Sequence, residues 1–344
     1  MKVGIINATG YAGSELARIL NQHNEIDIVS ITGRSSVGKK IGDVFPHLSK
    51  INLTITEELD SNVEFVFSAL PHLASAESLN KYFDKNIKIV DISADFRLKN
   101  KELYKIWYDY DHVYPNMLNE SVYGLPEIYR EEILSANIVA NPGCYPTASI
   151  LALAPLVKNN IINEDIIIDA KSGVSGAGRS LSLKTHFSEM TENMLAYSTN
   201  NHRHMPEIKQ ELDFINPNIN NKITFVPHLA PMVRGILATC YTSVIDSTLK
   251  EGDNGQVELL ELYKDFYSTH PFVQISDFSP MTKQTLGSNN CIIYPYLDNE
   301  SRKIIVISAI DNLVKGAAGQ AVQNMNIMCG FNEDEGLKQL AIYP

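Results

Sequence analysis

One of the four cysteines in the chain lies in a segment that could make it a nucleophile. Cys144 belongs to the segment Asn-Pro-Gly-Cys-Tyr-Pro-Thr at 141–147, and the apolar stretch that follows predicts a helix over 147–159. A thiol reacts as its thiolate, and a helix N-terminus lowers the pKa of a thiol toward neutrality. We therefore predict that Cys144 attacks a carbonyl carbon. The other three cysteines fit ordinary buried thiols, namely Cys240, Cys291 and Cys329.

A glycine-containing turn near the start of the chain predicts a dinucleotide-binding site. The turn connects a predicted strand at 2–6 to a predicted helix at 11–21, and Asn7 stands at the first position of a three-glycine pattern. Asn tolerates a positive φ, while the two glycines let a pyrophosphate approach the free amides of the helix start. The cofactor-binding residues predicted in this turn are Thr9, Gly10, Tyr11, Ala12 and Gly13.

The end of the second predicted strand, at 26–32, indicates which dinucleotide is bound. A site that prefers NAD places an acidic residue there, for the ribose hydroxyls. This chain has Arg34, Ser35 and Ser36 instead, and these residues can bind a 2′-phosphate through charge-assisted hydrogen bonds. Asp27 is the only acid nearby along the chain, and it lies inside the strand. The sequence therefore predicts NADP(H), with hydride transfer at the carbon that Cys144 attacks.

The elements that must position these groups predict an α/β fold. The first third alternates short apolar runs with helical patterns, which is typical of a parallel sheet with helices on both faces. Strands predicted after Cys144 form a mostly antiparallel sheet. A helix at 314–328, rich in small residues, is predicted to pack back on the first domain. These later strands are predicted at 166–170, 223–227, 235–245, 291–297 and 303–310.

Composition excludes several classes of protein. The chain has 29 basic and 40 acidic residues, a formal charge of −11, and no clustered basic surface that would favour nucleic acid. Its longest apolar stretch, 148–157, is about half of the ~20 residues that a membrane span needs. The cysteine spacing predicts neither a metal site nor a disulfide framework, and the N-terminus does not look like a signal peptide. We expect a cytoplasmic protein with a small-molecule substrate, no nucleic-acid or membrane partner, and no bound metal.

Motifs along nearly the whole chain resemble those of the N-acetyl-γ-glutamyl-phosphate reductases, in their longer, single-function form within the aspartate-semialdehyde dehydrogenase-like superfamily. The segments ANPGCYPT and SGVSGAGR are the most specific, and the departure is Asn7, where the family usually has glycine. The matching segments are ATGYAG (8–13), VDISADFRL (90–98), VYGLPE (122–127), ANPGCYPT (140–147), SGVSGAGR (172–179), HRHMPEI (202–208), VPHLAPMVRGI (226–236) and VKGAAGQAVQNMN (314–326).

The resemblance implies an activity and an architecture. The activity is the NADPH-dependent reduction of N-acetyl-L-glutamyl 5-phosphate to the 5-semialdehyde, in arginine biosynthesis, through a thioester on Cys144. The architecture is a Rossmann-type NADP-binding domain at 1–145, completed by 312–344, and an α+β catalytic and oligomerisation domain at 146–311. A homo-oligomer, either a tetramer or a dimer, is implied as well.

Further site residues are assigned by their motifs. His202 and His204 are both suitable as the acid/base, and the position within HRHMPEI favours His204. Arg97 resembles the position that holds substrate phosphate in aspartate-semialdehyde dehydrogenases. Arg179 and Arg203 are candidates for the substrate carboxylate. The glycine-rich loop at 172–179 predicts cofactor contacts through Ser175 and Gly176, and the motif beginning at Asn312 predicts a contact with the nicotinamide carboxamide.

Alternatives stay open at this point. Aspartate-semialdehyde dehydrogenase shares the chemistry, although its nucleophile segment usually reads Cys-Thr-Thr. A reductase of aminoadipyl phosphate carried on a small acidic protein is a closer rival, and the −11 charge disfavours such a partner. A non-catalytic NADP-binding regulator would not need the cysteine and histidines. A cysteine hydrolase would not need the phosphate-binding turn.

Overall fold

The computed structural model describes residues 1–83, 85, 87–199, 201–245 and 248–344, in which runs of β-branched and apolar residues form the strands. The strands are β1 Lys2–Ile6, β2 Asp27–Thr32, β3 Ile55–Thr56, β4 Phe65–Ser68, β5 Lys88–Asp91, β6 Val122–Tyr123, β7 Ile138–Ala140, β8 Ile162–Gly173, β9 Leu195–Ala196, β10 Lys222–Ala230, β11 Ile236–Val244, β12 Val273–Ile275, β13 Cys291–Asp298 and β14 Lys303–Ile310. The helices are α1 Tyr11–Leu20, α2 Ile41–Val44, α3 Ser75–Phe83, α4 Lys101–Tyr108, α5 Met117–Glu120, α6 Pro126–Ser135, α7 Cys144–Lys158, α8 Phe187–Met190, α9 His204–Ile215, α10 Gly252–Phe266 and α11 Gly319–Cys329. Among the described residues, no helix is both long and apolar enough to cross a bilayer.

The chain divides into two units that are each formed from separate segments. The first unit contains 1–143 and 317–339, and the second contains 144–316 and 340–344. The chain therefore passes between the units next to Cys144, again after Gly316 and once more after Gln339. The division predicted from the sequence falls at 145/146 and 311/312.

The first unit contains a parallel sheet in the order β3-β2-β1-β4-β5-β7-β6. Its paired strands are parallel throughout. Helix α11 packs against α1, α6 and β5, and its residues from Gly319 to Met328 are buried. The last helix of this unit thus belongs to the same core as the N-terminal strands. This arrangement is the α/β, Rossmann-type architecture that strand–helix alternation predicts.

The second unit contains a mixed, mostly antiparallel sheet in the order β12-β13-β14-β11-β8-β10-β9. Strand β8 lies parallel to β10, whereas β11 runs antiparallel to both β8 and β14. Helix α7 covers one face, where it contacts β8, β11 and β14, and α9 packs beside it. The strong burial of α7, whose residues from Tyr145 to Val157 are all buried, makes it the central helix of this unit.

The other face of this sheet carries apolar side chains in register. Tyr241 pairs with Ile167 on one side and with Ile305 on the other, and Ile305 in turn pairs with Tyr296. Ile167 is 49% exposed and Tyr296 is 42% exposed. We call this surface, defined by Ile167, Tyr241, Ile305 and Tyr296, the open face.

Candidate functional site

The turn between β1 and α1 has the geometry of a phosphate-binding turn. Asn7 has φ +64°, and its side chain donates from Nδ2 to the carbonyl of Ala69 at 2.8 Å. A Cβ on Gly13 would lie 2.3 Å from the carbonyl oxygen of Asn7, so only glycine fits there. Gly10 directly precedes α1, and Tyr11 is its first residue. The turn thus leaves the N-terminus of α1 accessible to an anion, as the glycine spacing predicts.

A cavity of about 480 Å³ lies beside this turn, within the first unit. It contains the predicted Arg34, which begins a single 3₁₀ turn together with Ser35 and Ser36. It also contains Glu57, an acid that directly follows β3. Glu57 is far from Arg34 along the sequence, so the sequence alone does not predict that the two residues share a cavity. The residues present fit a dinucleotide, because a cation, a glycine-walled turn and apolar side chains surround one cavity. Its lining residues are Ile6, Asn7, Thr32, Gly33, Arg34, Val37, Glu57, Leu70 and Ser78.

Cys144 is the first residue of α7 and is partly exposed. The predicted helix start at Thr147 was three residues late, because two prolines, at 142 and 146, suggested an extended turn. Pro146 is tolerated in the first turn of a helix, where its missing N–H has no partner to lose. Gly316 packs directly on the cysteine, since a Cβ on it would lie 2.7 Å from Cys144 Cβ and 3.2 Å from Cys144 Cα.

Two other cysteines have thiols that ionise with difficulty. Burial raises the pKa of Cys240 to about 12 and the pKa of Cys329 to about 11. All four cysteines are free thiols. Cys240 and Cys291 are buried, as predicted from the sequence, whereas Cys329 is partly exposed.

Two tyrosines that the sequence motifs do not mark as functional lie beside Cys144. Tyr145 donates its hydroxyl to the carbonyl of His228 at 2.9 Å, and the hydroxyl of Tyr197 lies 3.4 Å from that of Tyr145. Burial raises the pKa of Tyr145 far above its ordinary value and that of Tyr197 to about 12. Both hydroxyls therefore stay neutral at physiological pH. The signal available in the sequence was only that Tyr145 follows the cysteine.

The two histidines of the HRHMPEI motif contact the ring of Tyr145. The ring centroids lie 5.6 Å from Tyr145 for His202 and 5.9 Å for His204, and the two histidine rings are 4.8 Å apart. His202 accepts a hydrogen bond at Nδ1 from the backbone N–H of His204, the first residue of α9. Burial and the neighbouring Arg203 lower the pKa of His202 to about 4. His202 is therefore a neutral residue that caps the start of α9.

The glycine-rich loop after β8 brings three of the predicted cofactor residues together. Asn312 donates from Nδ2 to Ser175 Oγ at 2.9 Å and accepts at Oδ1 from the backbone N–H of Gly235 at 2.8 Å. Gly176 lies against the same amide, because its Cβ would be 3.5 Å from Asn312 Nδ2. The loop thus has a defined shape in which the amide of Asn312 is already engaged.

The three predicted substrate arginines have different surroundings. Arg97 lies in the first unit and is buried, with Nε donating to the carbonyl of Asn141 at 2.8 Å and Nη2 to that of Ile92 at 2.8 Å. Arg203 directly precedes α9 beside the two histidines, and Arg179 lies on an exposed loop. Of these arginines, the structure brings Arg203 to the histidine pair.

Comparison with known proteins supports the same reading of both units. Residues 2–136 match the semialdehyde dehydrogenase NAD binding domain, and residues 144–312 match the semialdehyde dehydrogenase dimerisation domain. The fold is similar to that of aspartate semialdehyde dehydrogenase II from Vibrio cholerae, with TM-score 0.72, 18% identity and coverage of 96% of this chain and 98% of that one. It is also similar to aspartate semialdehyde dehydrogenase with NADP from Candida albicans, with TM-score 0.69, 15% identity and coverage of 95% and 98%.

Similarity in sequence is much higher to another group of enzymes. The N-acetyl-gamma-glutamyl-phosphate reductase of Dehalococcoides mccartyi is 51% identical over 343 residues, which cover 100% of this chain and 99% of that protein. The enzyme of the same name from Desulforamulus reducens is 47% identical over 352 residues, with full coverage of both chains. Because this identity extends through both units, the chain belongs to the N-acetyl-gamma-glutamyl-phosphate reductase family.

Proposed function

We propose that the chain reduces N-acetyl-γ-glutamyl phosphate to the corresponding semialdehyde with NADPH, and releases phosphate, as a step of arginine biosynthesis. The observation that carries the proposal is the placement of Cys144 at the first residue of α7, in a chain that is 51% identical over its full length to a reductase with this name. The alternative substrates of the superfamily lack this support, because the aspartate semialdehyde dehydrogenases are only similar at 15–18% identity.

The proposed reaction begins with the thiolate of Cys144. Its sulfur attacks the acyl carbon, a carbon–sulfur bond forms, and the bond from that carbon to the phosphate oxygen breaks, so that inorganic phosphate leaves. The turn between β1 and α1 and Arg34 would hold NADPH, which would supply a hydride to the carbonyl carbon of the resulting thioester. The carbon–sulfur bond then breaks, which releases the aldehyde and restores the thiolate.

His204 is the proposed acid/base in these steps. It takes the thiol proton, donates it to the oxygen of the tetrahedral intermediate, and takes it back when the carbon–sulfur bond breaks. Its neighbour His202 is unsuited to this role, because its pKa of about 4 makes it a weak base for the thiol proton and its Nδ1 already accepts from the backbone of His204. Arg203 is the arginine whose position beside the histidines supports a role with the substrate carboxylate. Arg179 and Arg97 remain candidates through their motifs alone.

The test of covalent catalysis uses the reverse reaction with the semialdehyde, phosphate and NADP⁺. We expect Cys144→Ser to lower the rate at least ~10³-fold, because serine lacks the nucleophilicity of a thiol at neutral pH. Cys329→Ser is the matched control, since its partly exposed thiol has a raised pKa and should not affect the rate. Near-normal turnover by Cys144→Ser would contradict the covalent route.

We also propose that the cofactor is NADP(H) and that Arg34 selects it. The cavity holds both Arg34 and Glu57. A 2′-phosphate bound there would be attracted by the guanidinium of Arg34 and repelled by the carboxylate of Glu57. Hydrogen bonds to charged groups contribute roughly 1.5–3 kcal/mol, so Arg34→Leu should raise the Kd for NADPH about 10- to 150-fold. The Kd for NADH should change little, and Lys39→Leu is the control for loss of a surface cation. Equal weakening of both cofactors would refute the assignment of Arg34.

Oligomerisation is proposed to cover the open face. The segment 144–312 matches a dimerisation domain, and an exposed apolar surface of this kind commonly marks a contact between proteins. Tyr296→Glu should therefore lower the mass measured by light scattering toward that of a monomer. Phe214→Glu is the control, because Phe214 is 55% exposed but lies on α9, away from the open face. An unchanged mass for Tyr296→Glu would argue against this interface.

The free cysteines fit a cytoplasmic location, which we propose as well.

A further inference from the structure

Asn141, three residues before Cys144, has partners for all of its polar groups. Its backbone N–H donates to the carbonyl of Asp91 at 2.8 Å, and its carbonyl accepts from Arg97 Nε at 2.8 Å. Its side chain donates from Nδ2 to the carbonyl of Ala317 at 3.1 Å and accepts at Oδ1 from Asn324 Nδ2 at 3.0 Å. The residue is fully buried. Four bonds in four directions fix both its backbone and its side chain.

The two side chains that hold Asn141 are themselves fixed. Arg97 donates a second hydrogen bond to the carbonyl of Ile92, and bonds from a guanidinium are stronger than those between neutral groups. Asn324, on α11, also donates to the carbonyl of Gly124 at 2.9 Å. A Cβ on Gly124 would lie 2.4 Å from Asn324 Nδ2, so the chain passes as close to this amide as glycine permits. The end of β7 is therefore joined to β5 and to α11.

The chain between Asn141 and Cys144 leaves little freedom. Pro142 has a fixed φ, and only Gly143 separates it from the cysteine. The acceptor of the Asn141 amide, Ala317, directly follows Gly316, the glycine that packs on Cys144. Asn141 is thus bonded near two of the three places at which the chain passes between the units, those at 143/144 and 316/317.

We propose that Asn141 is a positioning residue, which Arg97 and Asn324 hold in place and which fixes the main chain from which Cys144 begins α7. Asn141 need not touch substrate or cofactor in this role. The inference rests on the proposed function of Cys144 as the nucleophile. It gives Arg97 a role in the bonded network around Asn141, through the two backbone carbonyls to which Arg97 donates.

The experiment compares Asn141→Ala with a control that loses the hydrogen bonds of another buried asparagine. Asn326→Ala is the matched control, because Asn326 is a fully buried amide on α11, the helix that also carries Asn324. It bonds to His23 and to the carbonyls of Glu333 and Glu335. Three properties are measured for each folded variant: kcat in the reverse reaction, the Kd for NADPH, and the rate of Cys144 alkylation by iodoacetamide from pH 6 to 10.

We expect Asn141→Ala to lower kcat about 100-fold, because a displacement near 1 Å can cost that factor, while the Kd for NADPH changes less than threefold. For Asn141→Ala, the midpoint pH or the plateau rate of Cys144 alkylation should differ from that of the wild type. For Asn326→Ala, both should stay unchanged. If Asn141→Ala does not fold, Asn324→Ala keeps three of the four bonds and should lower kcat about tenfold. A lowered melting temperature with unchanged kcat and an unchanged alkylation profile would overturn the proposal.

The alkylation measurement also separates this inference from the proposed reaction. It reports the environment of the Cys144 thiol without any substrate. If the reductase activity failed to appear, a changed alkylation profile in Asn141→Ala would still support positioning, and an unchanged profile would still refute it.

Discussion

Replacing Gly316 with alanine tests whether the position of Cys144 limits the reaction. The added Cβ would lie 2.7 Å from Cys144 Cβ, whereas carbon atoms in contact are normally about 3.5–4.0 Å apart. The nucleophile or the backbone around Gly316 must therefore move by about 1 Å. Because Cys144 Cα is also only 3.2 Å away, a rotation of the thiol does not relieve the clash. A shift of this size near the reacting atoms costs a factor of about 10² in rate.

The assay is kcat in the reverse reaction, measured together with stability in urea. Overpacking should lower the free energy of unfolding by about 1–3 kcal/mol. Gly42→Ala is the matched control. Gly42 lies in α2, remote in sequence from Cys144, and a Cβ on it would lie 2.8 Å from Ser49 Cα. That control should lose stability and keep kcat. If Gly316→Ala kept kcat within threefold, and gained stability as alanine does in an unstrained helix, the packing argument would be refuted.

Three further changes test the buried polar groups. In the wild-type protein, His202 binds a proton between pH 6.5 and 4 when the chain is unfolded but not when it is folded. The free energy of unfolding therefore falls by up to about 3 kcal/mol as the pH drops through this range. Urea unfolding of His202→Asn should lack this loss, and a difference from wild type that stays constant with pH would contradict it. Burial and the Asp95 carboxylate raise the pKa of Asp91 from 3.8 to about 6, so the folded state holds the proton longer and stability falls as the pH rises from 3.8 to 6. Asp91→Asn should therefore gain stability relative to wild type as the pH rises through this window, and a difference from wild type that stays constant with pH would argue against the raised pKa. Tyr145→Phe should cost about 1–3 kcal/mol in urea, because the carbonyl of His228 loses its donor, and a cost near zero would show that water replaces the bond.

Long elements with a clear hydrophobic period were predictable from the sequence. Strand β1 was predicted at 2–6, where the structure has it, and α1 was predicted one residue longer than Tyr11–Leu20. Strand β8 begins four residues before its predicted start at 166, because Asn163, Glu164 and Asp165 are polar residues on a partly exposed strand end. The helix predicted at 314–328 begins with a π-turn at Val314–Ala318, which hydrophobic periodicity does not distinguish from an α-helix.

Elements that depend on partners distant in sequence were not predictable. Strands β3 and β9 are two residues long, and each is a strand only because of its neighbour, β2 and β10 respectively. The same reason explains Glu57, which follows β3 and reaches the cavity of Arg34 through that pairing. Motifs in the sequence indicated the proposed nucleophile Cys144, the two histidines at 202 and 204, and the glycine-containing turn before α1. The network around Asn141 required the fold, because its four partners come from two segments, 91–97 and 317–324, that are distant from each other along the chain.

The late position of α11 in the chain affects how the protein is made. Because α11 packs on α1, α6 and β5 but follows residues 144–316 of the second unit in the chain, a nascent chain cannot complete its first unit until that segment has been synthesised. The apolar surfaces of α1 and α6 stay uncovered during that time and are available to chaperones or to other nascent chains. Translation that stops before residue 319 therefore yields a fragment with an unfilled groove, which is prone to aggregation even though every strand of its first sheet is present.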